Sequence, residues 1–308
     1  MASSLLTNSA AMTALQTLRS VSSSLSVTQN RISTGMRVAT ASDNSAYWSI
    51  ATSMRADNAA LSAVSDSLGL SAATVDTEYT ALTSVLGSDG NSGLTKLQAL
   101  LVEAKTAGID RDKIQSEVTQ IQADMKNTAN SATFNGVNWL STNTATPATV
   151  NLVSSFSRIG GTPTINYIQV TVANYSLYTG GATPTGFLDA VDPTTSVSVD
   201  TIDISSLTDS TTDQATLDNL ITQITGALNT VSQSAADLGA IKNRISNNSD
   251  FVKTLMDSVT RGISQLVDAD MNAESTRLSA LQTQQQLGIQ ALSIANQNSQ
   301  SILSLFRG

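Results

Sequence analysis

The stretch TLDNLITQITGALNTVSQSAADLGAIKNRI, residues 216–245, decides the fold class because its apolar side chains recur every three or four positions. It lies within a longer run, Ser210 to Phe306, that contains no proline. A periodic pattern several times longer than a globular helix of about 8 to 20 residues is typical of coiled coils or of helices packed on other helices. The predicted apolar stripe consists of Leu217, Leu220, Ile224, Leu228, Val231, Ala235, Leu238, Ile241 and Ile245, continued by Leu255, Val259, Ile263, Leu266, Leu278, Leu281, Ile289, Leu292, Leu303 and Phe306.

The N-terminal end has a matching helical pattern with little charge. No acidic residue precedes Asp43, and only Arg277 and Arg307 are charged after Glu274. Burying about eight apolar side chains does not offset the conformational entropy of ordering about thirty residues. We therefore expect each end to need the other end and neighbouring copies of the chain, and to be largely disordered before assembly. The N-terminal stripe is Leu5, Met12, Leu15, Leu18, Val21, Leu25 and Ile32.

Glycines and capping residues divide the N-terminal half into helices. Gly35 can end the first helix, and Ser42 or Asp43 can cap the second. The glycine-rich segment 87–93 predicts a break, after which a third helix runs from Leu94 to about Thr106. Asp110 is the predicted cap of a fourth helix. The second helix should bury Ile50, Met54, Leu61, Val64, Leu68, Val75, Leu82 and Val85, and the fourth Ile114, Val118, Ile121 and Met125.

Residues 133–208 have β character. Asn135-Gly136 between apolar residues predicts a β-hairpin near 133–140. From 142 to 208 all four prolines occur and the apolar period becomes two, for example at Ile202 and Ile204. The fold class is therefore mainly α, a long antiparallel helical rod resembling a coiled coil, with a β-hairpin and a small β-rich domain inserted at its tip. The other period-two positions are Ile165, Tyr167, Ile168, Val170, Val172, Val197 and Val199.

The composition excludes several classes of function. The net charge of −8 disfavours binding to nucleic acid phosphates. The chain has no cysteine and no histidine, so disulfides, thiolate catalysis and imidazole bases are absent, and we expect no metal and no cofactor. No apolar run reaches the roughly 18 residues of a membrane span, and the first residues do not resemble a cleaved signal peptide.

The candidate binding sites are weak. Gly87, Gly90 and Gly93 have the spacing of a phosphate-binding loop, but no Gly-Lys-Ser/Thr follows, so a break between helices is favoured. Asp268 and Asp270, with Glu274 beyond, fit a helix cap better than a cation site. We interpret Tyr47, Trp48 and Trp139 as packing residues, and we find no pattern of catalytic residues.

Four sets of motifs resemble bacterial flagellin, the subunit of the flagellar filament. They are Arg31-Ile-Ser-Thr-Gly-Met-Arg-Val38 with Ser42-Asp-Asn-Ser-Ala46, then Phe134-Asn-Gly-Val137, then Asp237-Leu-Gly-Ala-Ile-Lys-Asn-Arg244, and finally Gln284 to Arg307. The resemblance covers about 1–142 and 209–308, and its short outer region is similar to the α-proteobacterial type. It implies an extracellular structural protein, not an enzyme, that self-assembles into a filament for swimming.

The resemblance also implies a division into domains. Residues 1–42 and 268–308 would be the two halves of an inner-tube domain, 43–141 and 209–267 the halves of a rod domain, and 142–208 a variable outer domain. The implied assembly interface is Leu5, Met12, Leu15, Leu18, Leu25, Arg31, Ile32, Leu278, Leu281, Ile289, Leu292, Ile302, Leu303 and Phe306.

Partners follow from the same resemblance. The implied partners are other flagellin subunits, an export chaperone at the C-terminal end, and the filament cap and hook-junction proteins. The chain would leave the cell through the flagellar type III export apparatus. No nucleic acid partner and no membrane insertion are expected. Lys96, Leu100 and Asp43 occupy positions of immune-receptor contact. Thr95, Lys96 and Asn44 depart from the family motifs there, so we expect weak recognition.

Three other hypotheses remain open. A hook-associated or junction protein of the same assembly would adapt or cap the filament instead of forming it. A hydrolase carried on flagellin-like ends is disfavoured because 142–208 has neither histidine nor cysteine. A coiled-coil adhesin would require strict heptads, whereas the spacing here drifts.

Overall fold

The computed structural model describes residues 8–142, 149–159, 162–181 and 183–305. They form six α-helices and one two-stranded antiparallel sheet, which confirms a mainly α fold with a β-hairpin. The elements are α1 Ser9–Thr34, α2 Ser45–Leu86, α3 Gly93–Glu103, α4 Arg111–Ser131, β1 Thr149–Ile159, β2 Thr162–Thr171, α5 Thr211–Val267 and α6 Met271–Leu305, with short 3-10 helices at Val172–Asn174 and Val199–Thr201. The described residues divide into two compact units, unit 1 within Met1–Ala59 and Met256–Gly308, and unit 2 within Ala60–Leu255.

Unit 1 is built on the contact between α1 and α6. Asn8 caps α1 by accepting from Ala11 N, and its Nδ2 donates to Ala295 O at 2.9 Å. Farther along the pair, Arg31 Nη1 donates to Glu274 Oε1 at 2.9 Å. Leu18 lies against Gly288, where an added Cβ would be 3.2 Å from Leu18 Cδ1. The two chain ends therefore pack as one pair of helices.

The ends of the unit 1 helices follow the predicted caps, with one correction. Gly35 ends α1 in the left-handed conformation at φ 69°, as predicted. Asp270 caps α6 by accepting from Asn272 N and Ala273 N, also as predicted. The cap of α2 is neither Ser42 nor Asp43 but Asn44, whose Oδ1 accepts from Tyr47 N. Asp43 instead accepts from Ala39 N and Thr40 N and so closes the preceding turn.

Unit 2 contains the main core, which α2, α3, α4 and α5 share. The predicted stripe of α2 is buried from Leu61 onward, but Ile50 is 50% exposed and Ala51 is buried instead. The prediction failed there because a 3.6-residue period leaves adjacent positions hard to distinguish. The buried core includes Leu61, Val64, Leu68, Val75, Leu82, Val85, Leu94, Leu97, Leu100, Leu101, Ile114, Val118, Met125, Leu217, Leu220, Ile224, Val231, Leu238, Ile245 and Val252.

The predicted hairpin at 133–140 is a turn with a single pair of hydrogen bonds. Asn135 and Gly136 have φ of 51° and 78°, and Phe134 and Val137 exchange two backbone bonds of 2.9 Å. The pairing stops there because Trp139 N donates to the Glu78 carboxylate of α2. The extended hairpin is β1 and β2, with a bulge between Val153 and Ser155 and its buried face at Leu152, Ile168 and Val170.

The strand predicted at Val197, Val199, Ile202 and Ile204 does not form. Val199–Thr201 is a 3-10 helix, and side chains of α4 take up the backbone groups around it. Gln122 Nε2 donates to Val199 O at 2.9 Å, and Ile204 N donates to Gln115 Oε1 at 2.9 Å. Side chains of α4 thus satisfy backbone groups that a neighbouring strand would otherwise bind, and Val199, Ile202 and Ile204 are buried while Val197 is half-buried.

Arg111 joins three segments of unit 2 at the start of α4. Its Nε donates to Ala104 O at 3.0 Å, its Nη1 to Leu207 O at 3.3 Å and its Nη2 to Asp209 at 2.6 Å. The Arg111 side chain is buried, and its hydrogen bond is the first cause of the lowered pKa of Asp209. One planar cation therefore connects the end of α3 to the segment before α5.

The break between α2 and α3 depends on two glycines with positive φ. A Cβ on Gly87 would overlap Ser92 O, and a Cβ on Gly93 would overlap Val85 O. Gly90, in the same turn, also has positive φ but has open space around it. The predicted helix break is confirmed, and its tightness requires glycine at both ends.

Gly87→Ala and Gly93→Ala should each lower the free energy of unfolding by about 2–5 kcal/mol, the sum of left-handed strain and overpacking. Gly90→Ala is the matched control and should cost only the strain, about 1–2 kcal/mol. Guanidinium unfolding followed by circular dichroism at the helical band measures all three. Equal losses at the three positions would contradict the close packing of the turn.

Arg111→Ala should destabilise the chain by about 2–4 kcal/mol because it leaves buried carbonyl groups and Asp209 without their donor. Lys113→Ala, two residues along the same helix, removes an exposed pair with Asp110 and should cost less than about 0.5 kcal/mol. The same unfolding measurement compares the two variants. A loss at Arg111 no larger than that at Lys113 would show that the buried cation does not join these segments.

Candidate assembly interface

Most of the exposed large apolar side chains of unit 1 lie on the two terminal helices, and the others, Tyr47, Trp48 and Ile50, lie at the start of α2. On α1, Met12 is 66% exposed, and Leu15 and Val27 are also exposed. On α6, Ile289 is 54% exposed, together with Met271, Leu287 and Ile294. Helices with apolar residues on more than one side are typical of elements that are covered on more than one side. Packing α1 on α6 therefore leaves seven large apolar side chains exposed on more than one side of the pair, and we call this set the outer face: Met12, Leu15, Val27, Met271, Leu287, Ile289 and Ile294.

The predicted interface residues divide between the outer face and the contact between α1 and α6. Met12, Leu15 and Ile289 belong to the outer face, whereas Leu281 is buried. Half-buried positions are Leu18, Leu25, Arg31, Ile32, Leu278 and Leu292. Leu5 and Phe306 lie outside the described residues, as do the side chains of Ile302 and Leu303.

Some outer-face residues escaped the sequence prediction. Val27, Leu287 and Ile294 lie off the stripe that runs through Leu18, Leu25 and Leu292. The available signal was a second apolar series on α6, because Leu287 and Ile294 are seven residues apart and so share one face of the helix. A helix with two such series is predicted to have two partners.

The aromatic residues and the immune-receptor positions have different environments. Trp139 is fully buried, as predicted, but Tyr47 and Trp48 are exposed, contrary to their predicted packing role. The Arg37 guanidinium lies 5.8 Å from the Tyr47 ring centroid. Lys96 pairs with Glu117 at 3.2 Å, and Leu100 is 2% exposed. Asp43 is exposed, and its hydrogen bonds, led by that from Thr40 N, lower its pKa.

The acidic groups considered as a cation site have structural roles. Asp270 caps α6, and Glu274 pairs with Arg31. Within the described ranges, no group of three or more histidines, cysteines, aspartates or glutamates is placed to hold a metal ion. In the same part of the chain, no helix has the length and apolar character required to cross a bilayer.

Both ends of the chain match sequence models of a known protein family. The sequence model of the bacterial flagellin N-terminal helical region matches residues 5–145, and that of the C-terminal helical region matches 221–306. Flagellin C of Rhizobium meliloti strain 1021 is 44% identical, with 99% of each chain aligned. A flagellin of Brucella melitensis biotype 1 is also 44% identical, again over 99% of each chain. Flagellin A of Rhizobium meliloti is 38% identical over 99% of this chain and its whole length.

Each matched region contains one of the two helices that carry the outer face. Helix α1 lies in the N-terminal region and α6 in the C-terminal region. These relatives align with 99% of the chain, including the segment between the two matched regions. The chain therefore belongs to the bacterial flagellin family.

Proposed function

We propose that this chain is a structural subunit that polymerises with copies of itself into an extracellular flagellar filament. The observation that carries the proposal is the outer face, because apolar side chains of both terminal helices stay in water when the chain is alone. Large apolar side chains left exposed together on one pair of helices favour an interaction site over scattered surface positions. Head-to-tail contacts that do not close into a ring produce an open helical filament.

The same proposal assigns each part of the chain to a layer of the filament. Residues 1–42 and 268–308 form the inner tube, 43–141 and 209–267 form the surrounding shell, and 142–208 form the outer surface. The weak charge of the two ends supports this arrangement, since closely packed copies of a highly charged helix would repel one another. The protein acts by mechanical assembly and not as an enzyme.

Other proteins would bind the chain before export and during growth of the filament. We infer that an export chaperone binds the C-terminal end, where exposed Leu287, Ile289 and Ile294 require cover before assembly. We also infer contacts with the filament cap during growth and with hook-junction proteins at the base. The chain then reaches the outside of the cell through the flagellar export apparatus.

Met12→Glu and Ile289→Glu should each block polymerisation while leaving the lone chain folded. Both side chains are more than half exposed, so a carboxylate there stays hydrated in the lone chain but would be buried unpaired between copies. Val191→Glu in unit 2, where the side chain is 59% exposed, is the matched control and should polymerise normally. The measurement is the polymer mass sedimented after seeding, with circular dichroism of the unpolymerised chain.

A critical concentration raised at least about tenfold for the two outer-face variants, equivalent to about 1.4 kcal/mol, is the expected result. Normal filaments from both variants would overturn the role of the outer face. A block by Val191→Glu of the same size would show that charge itself, and not its position, prevents assembly.

Deletion of residues 1–30 or of 275–308 should leave a soluble chain that does not polymerise. Each deletion removes most of one helix of the α1 and α6 pair and with it three of the seven outer-face residues. Electron microscopy of seeded samples, with the full-length chain as control, measures the outcome. Filaments from either truncated chain would refute the proposed function, and a full-length chain that binds seeds without elongating them would favour a junction protein.

A further inference from the structure

Glu78 of α2 is a carboxylic acid inside the core of unit 2. The residue is 0% exposed, and its Oε1 accepts from Trp139 N at 2.9 Å. Its Oε2 is buried and has no hydrogen-bond partner among the described residues. An ionised carboxylate in such a place loses most of its hydration and regains only part of it from backbone donors. The protonation state of Glu78 therefore affects the stability of its surroundings.

Trp139 belongs to a turn that connects several parts of unit 2. Asn138 Nδ2 donates to Ala129 O at the end of α4, and Asn138 Oδ1 accepts from Leu140 N and Ser141 N. Leu140 O accepts from Leu177 N and Tyr178 N, beyond β2. The bond from Trp139 N to Glu78 attaches this turn to α2. We call residues 138–140 the anchored turn.

Two opposing effects act on the Glu78 carboxyl, and burial is the larger. Burial raises the pKa of Glu78, the hydrogen bond from Trp139 N–H and the nearby N–H of Leu140 oppose that increase, and the resulting pKa is about 7. The charged form is therefore less favourable inside the protein than in water, even with these donors present. Opening the anchored turn would return the carboxylate to water.

The charged and titratable groups near the anchored turn and Glu78 come from α2, α4, α5 and the segment after β2. They are Asp76 and Tyr79 on α2, Lys126 on α4, Asp237 and Lys242 on α5, and Tyr175 and Tyr178 after β2; the Tyr175 ring lies 6.3 Å from that of Trp139, and Tyr178 N donates to Leu140 O. Asp76 and Lys242 pair at 2.7 Å, so their charges largely offset each other. Tyr175 has a raised pKa, mainly through burial, and stays neutral near pH 7. Burial of Glu78 itself is thus the first cause of its altered titration.

We propose that Glu78 is a proton-dependent latch, which holds the anchored turn on α2 when the carboxyl is protonated and loosens it when the carboxyl is ionised. The ligand of this site is the proton. The residues that move are those of the anchored turn, which lies between α4 and the segment 142–208. The inference concerns the single chain and does not depend on polymerisation.

The direction of the pH effect follows from proton binding. Between the ordinary pKa of a glutamate, 4.5, and about 7, the folded chain holds a proton at Glu78 that the opened chain releases. The contribution of Glu78 to stability therefore falls as pH rises through this window and is constant above and below it. No histidine is present to titrate in the same range. The lowered pKa values of Asp110 and Asp209 act in the opposite direction and at lower pH.

Amide hydrogen exchange of the full-length, unpolymerised chain tests the latch at Trp139 N. Relative to the intrinsic rate at each pH, protection of this amide should fall by on the order of a hundredfold between pH 5 and pH 8. Glu78→Gln keeps the shape and the acceptor but cannot ionise, so its protection should be independent of pH. Glu103→Gln, an exposed position on α3, is the matched control and should behave as wild type.

A pH-independent wild type, or a Glu78→Gln variant that keeps the wild-type slope, would overturn the proposal. The carboxyl carbon signal of Glu78 gives a second measurement that needs no variant. Its titration midpoint should be about 7, and a midpoint at the ordinary value would also refute the latch. A tryptophan fluorescence change with the same midpoint in the Trp48→Phe background would support it, because Trp139 is then the only tryptophan.

Discussion

The apolar contact between α1 and α6 is the interaction on which unit 1 and the proposed assembly depend. It joins residues 287 and 243 positions apart in the chain, at Asn8 with Ala295 and at Arg31 with Glu274. The entropic cost of closing such a long loop rises only slowly with its length, so two matched apolar stripes can offset it. The two polar bonds fix the register of the helices, while Leu18 against Gly288 sets their close approach.

The same contact explains why one chain is an incomplete structure. Each terminal helix has apolar residues on a second side, and the partner helix covers only one of the two. The free energy available from burying Met12, Leu15, Leu287 and Ile289 is realised only when further protein covers them. In the proposed filament, that protein is another copy, so the surface that completes one subunit also binds the next.

In unit 2, polar side chains form hydrogen bonds with backbone groups that no strand pairs with. Gln115 and Gln122 of α4 bind backbone groups of residues 199–204, Arg111 binds Ala104 and Leu207, and Glu78 binds Trp139. Backbone groups that leave water must find partners, and these side chains supply them. Among the described residues between α4 and α5 there are two strands, and helix side chains bind the backbone of residues 199–204 in place of a third. This arrangement places the Glu78 carboxyl and the Arg111 guanidinium inside the core, where they lose hydration. In the proposed latch, the Glu78 carboxyl makes the stability of unit 2 depend on pH.

The sequence by itself determined the long helices, the glycine break at 87–93, the caps at Gly35, Asp110 and Asp270, and the family. These features follow from local backbone chemistry and from a period that only an amphipathic helix produces. Only the tertiary structure decided that Asn135-Gly136 makes a single pair, that Val199 to Ile204 is not a strand, and that Ile50 is exposed while Ala51 is buried. Those outcomes depend on the hydrogen bond that Glu78 accepts, on the bonds made by Gln115 and Gln122, and on packing neighbours, all of which lie far away in the sequence. A local pattern shows that an apolar side chain needs burial, but the element that covers it is known only after the chain has folded.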